Sequence, residues 1–189
     1  TYATIGGGNS NDATGEYATV AGGNQCAATG NYSTVAGGTA NTASASNATV
    51  VGGTTNVASQ VGATVIGGGS NTAAAYYSVA MGYVNAAGAV AGANYDTVIG
   101  REAVSGRYGQ LCQAGGKFTT VGDAQICRMI ARKQTTDATA TVMALDGGGT
   151  ATATRTSIGT DRSAAFSALV VGRRASAGGE ASAAYEIKG

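Results

Sequence analysis

Thr19-Val20-Ala21-Gly22-Gly23, Thr34-Val35-Ala36-Gly37-Gly38 and Thr49-Val50-Val51-Gly52-Gly53 carry one pattern at a fixed step of 15 residues. The step extends backward to Thr4-Ile5-Gly6-Gly7-Gly8 and forward to Thr64-Val65-Ile66-Gly67-Gly68, and a further unit, Ser78-Val79-Ala80-Met81-Gly82, follows after 14. The other half of each unit keeps columns of its own. Asn11, Asn41, Asn56, Asn71 and Asn85 hold one, with Cys26 as the exception, and Ala13, Ala28, Ala43, Ala58, Ala73 and Ala87 hold another. Self-similarity at a constant period marks a repeat architecture. A unit this short cannot hold a helical hairpin, and its Val, Ile and Thr favour strands. Two short strands and two tight glycine-bearing turns fill it. Each unit then forms one coil of a parallel β-solenoid, pairing with the coils above and below at roughly 4.8 Å, and about six or seven coils stand about 30 Å tall. In this reading the glycine pairs supply positive φ at the corners. Proline is absent because each interior strand must donate its N–H groups to the ladder.

Side-chain parity gives the faces. Ile5, Val20, Val35, Val50, Val65 and Val79 are expected on one face of the first strand with the small column Ala3, Ala18, Ser33, Ala48 and Ala63. Tyr2, Tyr17, Tyr32 and the Thr4, Thr19, Thr34, Thr49 and Thr64 rank take the other, together with Gly6, Ala21, Ala36, Val51, Ile66 and Ala80. Both faces are substantially apolar. A single roll would leave the second as an exposed strip, so self-association about the solenoid axis is expected. Two readings of the asparagine column stand open: stacked amides that bond to one another or to the turn backbone inside a narrow core, or residues in solvated turns. On the first, Asn71→Ala costs about 1 to 3 kcal/mol.

These repeats resemble the head repeats of YadA-like trimeric autotransporter adhesins, whose pattern Ser-Val-Ala-Ile-Gly is matched most closely by Ser78-Val79-Ala80-Met81-Gly82. The resemblance implies a left-handed parallel β-roll assembled as a trimer. The other five units put glycine where that family has its second inward aliphatic residue, so a thinner core is expected. The Tyr32 to Gly38 variant resembles repeats of bacteriophage tail appendages, and the likeness covers residues 1–106.

Composition agrees with a chain in two parts. Of 189 residues, 32 are glycine and none is proline, histidine or tryptophan, and 11% are charged. Glycine without proline or a Gly-X-Y register excludes collagen. No run reaches the roughly 18 apolar residues of a membrane span. The first 100 residues carry only Asp12, Glu16 and Asp96 as charged groups, whereas all 11 Lys and Arg residues lie at Arg101 or later. After Gly106 the period ends. Residues 107–189 are expected to form an antiparallel, sandwich-like β domain, with strands at Gln125–Lys133, Thr139–Leu145, Thr152–Ile158, Ala165–Arg174 and Ala183–Lys188. Gly122 to Thr141 and Val170-Val171-Gly172-Arg173-Arg174 resemble a domain near the ends of phage tail-fibre and tail-spike proteins. In that family the β domain continues further, so this chain is expected to be part of a longer polypeptide.

Little in the sequence points to catalysis. Lacking histidine, the chain has no Ser-His-Asp triad, no His-paired cysteine and no His-containing zinc site. Gly115-Gly116-Lys117-Phe118 departs from a phosphate loop, with Leu111 in place of its first glycine and Phe118 in place of Ser/Thr. Asp123, Asp137, Asp146 and Asp161 flank turns, where Asp caps its own backbone. Arg128, Arg132, Lys133 and Arg173 alternate with apolar residues as the solvated face of a sheet does, without the dense basic patch and stacking aromatics of a nucleic-acid binder. Cys26 is expected as a free buried thiol. Cys112 and Cys127 can meet across strands, though nothing in their spacing requires it. No catalytic residue, cofactor or metal is expected.

The expected function is that of a structural and adhesive virion component: a homotrimeric phage tail fibre or spike fragment displaying a host-receptor-binding domain. Its expected partners are itself, other virion tail proteins and a bacterial surface glycan or protein, without nucleic acid or membrane insertion. The alternatives are the head of a bacterial trimeric surface adhesin, an ice-binding solenoid and a polysaccharide-depolymerising spike.

Overall fold

The computed structural model describes residues 2–90 and 92–131, and the backbones of 167–174 and 181–188. The chain divides into two units, Thr1–Thr156 and Ser157–Gly189. Every regular element among the described residues is a strand.

In the first unit the Thr-Val segments form one long sheet. Strands β1 (Thr4–Ile5), β3 (Thr19–Val20), β5 (Thr34–Val35), β7 (Thr49–Val50), β9 (Thr64–Gly69), β11 (Val79–Tyr83), β13 (Thr97–Arg101) and β14 (Leu111–Gly115) stack in that order, all parallel. The second segments form a companion parallel sheet of β2 (Asp12–Ala13), β4 (Ala27–Ala28), β6 (Thr42–Ala43), β8 (Val57–Ala58), β10 (Thr72–Ala73) and β12 (Ala86–Ala87). Like residues pair with like, Thr19 with Thr34 and Val20 with Val35. The result is a parallel β-solenoid of about 7 turns and about 15 residues per turn.

Its core is narrow because the side chains that fill it are small. Val20, Val35, Val50, Val65 and Val98 are fully buried from the first sheet and Ala28, Ala43, Ala58 and Ala73 from the second, with Ala18, Ser33, Ala48, Ala63 and Ser78 beside them. Each coil is bonded to the next from both sides. Strand N–H groups donate forward, as from Thr19 to the Ser33 carbonyl at 2.9 Å. At two corners the chain turns left-handed and donates backward, from Gln25 to the Asn9 carbonyl at 2.9 Å and from Tyr32 to the Glu16 carbonyl at 2.7 Å. Gln25, Ala40, Thr55, Ser70 and Val84 occupy one of these corners and Tyr17, Tyr32, Asn47, Tyr77 and Tyr95 the other, with φ between 53° and 62°. Such values are strained for side chains other than glycine or asparagine. The two-way lacing holds them there.

The glycine pairs divide their work. The second of each pair requires glycine: Gly53 sits at φ 91°, and a Cβ there would overlap the Gly68 carbonyl oxygen of the next coil. The first does not always. Gly22 and Gly52 have no left-handed φ, and a Cβ on either would meet nothing within 4 Å.

One expected column is corrected. Val79 pairs with Thr64 and Ala80 with Val65, so Ala80 faces the core and Val79 joins the outward threonine rank. The missing residue of this unit falls after Ala80, at a bulge beyond which Gly82 pairs with Gly68. Placing it there keeps Ser78 in the small inward column and the smaller Ala80 methyl inside, and sends Met81 outward beside Ile99.

The parallel sheet runs past Gly106 to Gly115, because Leu111 to Gly115 keeps the alternation that buries Cys112 and Ala114. There β15 (Gln125–Arg128) turns back antiparallel to β14, pairing Cys112 with Cys127, and a disulfide joins them. In the second unit β16 (Ser167–Arg174) and β17 (Ala181–Lys188) form an antiparallel hairpin. The strands expected at Thr139–Leu145 and Thr152–Ile158 lie outside the described residues.

Candidate functional site

The asparagine column is the most regular polar feature of the solenoid. Asn41, Asn56, Asn71 and Asn85 are buried beside the glycine corner, and Asn11, on the first coil, is only partly covered. Each amide nitrogen donates to two corner carbonyls, one in its own coil and one in the next. For Asn56 these are Gly52 at 2.8 Å and Gly68 at 3.1 Å. Each amide oxygen accepts the backbone N–H of the residue above it, as Asn56 does from Asn71 and Asn71 from Asn85, both at 3.0 Å. The principal partners are thus turn backbone groups, and Asn71 Nδ2 to Asn56 Oδ1 at 3.1 Å is an added amide–amide contact. Asparagine suits the place because one planar amide offers the two donors and one acceptor the corner requires. Cys26 occupies the same column with its thiol buried and free, 3.5 Å from the Gly38 carbonyl.

Two aromatic ladders run along the left-handed corner. Tyr2, Tyr17 and Tyr32 stack with ring centroids 5.1 Å apart, as do Tyr77 and Tyr95 at 5.6 Å. Asn47 and Gly62 separate the two. Stacking at coil spacing supports rings whose backbone is strained.

A single buried carboxylate breaks the small inward column. Asp96 stands where the coils before it have Ala or Ser, fully buried, and accepts from Ser105 Oγ at 2.8 Å and from the Gln110 N–H at 3.3 Å. Burial pushes this carboxyl up to about 6, against the lowering effect of its hydrogen bonds. At the end of the stack Asp123 behaves oppositely. It accepts the N–H groups of Thr120, Thr119 and Phe118, which hold it well below the usual carboxylate range. Lys117 lies 3.3 Å from the buried Glu102, and an open depression lined by Gly115, Gly116, Lys117, Phe118 and Ala124 sits beside it. The acids Asp137, Asp146 and Asp161 lie outside the described residues. Among the described residues no group of three or more Cys, Asp or Glu is placed to hold a metal.

The remaining candidate surface is the outer face of the long sheet. It presents Thr19, Thr34, Thr49, Thr64, Val79 and Thr97, and beside them Ala21, Ala36, Val51, Ile66, Met81 and Ile99. Val51 is 50% and Ile66 48% exposed. No acidic or basic residue interrupts either row from Thr4 to Ile99. No protein-family model matches the chain, and no curated protein matches it either.

Proposed function

We propose that this chain is a structural and adhesive component of a bacteriophage tail: three copies of a left-handed β-roll forming a shaft, continued by an antiparallel, sandwich-like β domain that contacts a glycan or protein on the bacterial surface. The observation that carries the reading is the amide-bolted stack. Bolting coil to coil along the column, with Cys26 as the one break, makes a body stiff along one axis, which suits an appendage that must hold a binding domain away from a particle. The resemblance of the repeats and of the later segment to tail-fibre and tail-spike proteins supports the same reading. Three-fold display strengthens weak receptor contacts, because sites on one rigid body bind with avidity. The partners are further copies of the chain, neighbouring tail proteins and the host receptor, with neither nucleic acid nor membrane insertion.

Adsorption of the labelled chain to a panel of bacterial cells tests this. Saturable binding to one host, lost when its surface polysaccharide or exposed protein is stripped, supports it. Absence of binding to every cell at micromolar concentration counts against it. Flanking genes for virion parts separate a tail fibre from a bacterial surface adhesin, whose gene would encode an export signal and a membrane anchor.

A further inference from the structure

We propose that the break in the tyrosine ladder at Asn47 is a binding site for one ring of an uncharged sugar, seated between the ring faces of Tyr32 and Tyr77. The proposal rests on the adhesive reading and deepens it, by giving the solenoid a glycan contact of its own. At the left-handed corner Tyr2, Tyr17 and Tyr32 stack with their planes 18° and 8° apart, so the far side of the Tyr32 ring is turned toward the coil of Asn47. The backbone does not impose the break. Asn47 has the same φ of 58° as Tyr32, and its N–H makes the same backward bond, to the Asn31 carbonyl at 2.9 Å. One coil further on, Gly62 gives way to a ring, because a Cβ there would overlap Tyr77, which leans over it. Asn47 is left between the two rings. It is exposed, and Tyr32 and Tyr77 are 56% and 55% exposed on either side of it.

The chemistry of these groups selects the occupant. The Asn47 amide has no hydrogen-bond partner among the described residues, so its two donors and its acceptor are open to a ligand's hydroxyl groups. The face of a tyrosine ring is the negative side of its quadrupole, which suits the C–H face of a pyranose. Three coil steps set Tyr32 and Tyr77 about 14 Å apart along the axis. A saturated ring held between two aromatic faces takes up about 8 Å, in two van der Waals contacts of about 4 Å. The lean of Tyr77 over Gly62 and the Asn47 side chain occupy the remainder. No Asp, Glu, Lys or Arg lies between Tyr17 and Tyr95, so an acidic sugar or a nucleotide would find no cation here, whereas a neutral sugar needs none. A peptide strand is no better served. The N–H groups of Asn47, Gly62 and Tyr77 are already bonded across coils, at 2.9, 3.1 and 3.0 Å. Those same bonds hold the corner in place, and preorganised groups lose little freedom on binding.

The test titrates the full chain with neutral di- and trisaccharides of glucose, galactose, mannose and their N-acetylated forms, read by saturation-transfer NMR. At least one is expected to bind at millimolar concentration or below. Asn47→Tyr fills the break with the residue its column carries elsewhere, so the variant is expected to melt no lower than the parent and to bind that sugar at least tenfold more weakly. Tyr32→Leu, which keeps apolar bulk and loses the ring face, is expected to weaken binding similarly, and Tyr2→Leu, two coils further away, is not. Unchanged binding by a folded Asn47→Tyr, or a parent that binds none of these sugars, would overturn the assignment. If Asn47→Tyr does not fold, Tyr32→Leu against Tyr2→Leu decides, and equal affinity in the two overturns it. Adhesion to cells separates the site from the reading it rests on. Adhesion that is lost on stripping surface polysaccharide, but is equal in the parent and a folded Asn47→Tyr, overturns the site and leaves the adhesive reading standing. Sugar binding that Asn47→Tyr abolishes, in a chain that adheres to no cell, supports the site and overturns the adhesive reading.

Discussion

Replacing Asn71 by alanine removes four hydrogen bonds at one point of the stack. Nδ2 donates to the Gly67 carbonyl at 2.9 Å, the Gly82 carbonyl at 2.7 Å and Asn56 Oδ1 at 3.1 Å, and Oδ1 accepts the Asn85 N–H at 3.0 Å. The losses are unequal. The corner carbonyls are part-buried and keep some access to water, so each costs a few tenths to about 1 kcal/mol, whereas the buried Asn85 N–H loses its acceptor outright and costs about 1–3 kcal/mol. The total is about 3 kcal/mol, the upper end of the range expected from the column alone. For a chain of this size that lowers the melting temperature by roughly 6–12 °C. Asn11→Ala provides the internal control, because Asn11 is only partly covered and its loss should cost about 1 kcal/mol. Urea titration of both variants, read by circular dichroism, measures the difference. Equal costs for the two, or a loss below about 0.5 kcal/mol for Asn71→Ala, would refute the argument that burial of the amide bolts the coils.

Four other outcomes follow from the same contacts. Cys26→Asn should stabilise the fold by about 1–2 kcal/mol in thermal denaturation, since an amide there can donate to the Gly38 carbonyl and accept the Asn41 N–H as its column neighbours do. Gly53→Ala should cost about 3 kcal/mol or more, measured by urea unfolding, because it combines a left-handed φ with overlap on the Gly68 carbonyl. Asp96 is protonated more readily in the folded chain than in the unfolded one, its carboxyl being raised from 3.8 to about 6, so stability should increase as the pH falls from 7 toward 4 by about 2–3 kcal/mol. Asp96→Asn should flatten that dependence in a pH series of melting curves. Reduction of the Cys112–Cys127 bridge, which closes a span of 15 residues, should cost about 3 kcal/mol, visible as an earlier unfolding of the disulfide-containing edge in hydrogen exchange.

The parallel ladder was legible because its rule is translation. Residues that recur every 15 positions can stack only on their own copies, so the Thr, Val, Ala and Asn columns predict the pairing of Thr19 with Thr34 and Val20 with Val35. The phase of Ser78 to Gly82 was not. A shortened unit can lose its residue before or after the inward position, and only the packing of Ala80 against the core decides. The left-handed corners at Tyr17, Thr55 and Val84 were equally hidden, since nothing in those side chains favours positive φ. They exist because reversing the peptide lets the N–H reach the coil behind. Asp96 was concealed by an enlarged coil, in which the step from Val79 to Thr97 is 18 residues and shifts every column. The disulfide needed the antiparallel return of β15, which the spacing of Cys112 and Cys127 does not imply.

Sedimentation equilibrium of the chain over a micromolar range is the most direct test of the central claim that this solenoid is a shaft built from several copies. A mass of about 55 kDa, three times the 18.2 kDa of one chain, is the predicted result. A single species at 18.2 kDa across the whole range would contradict it.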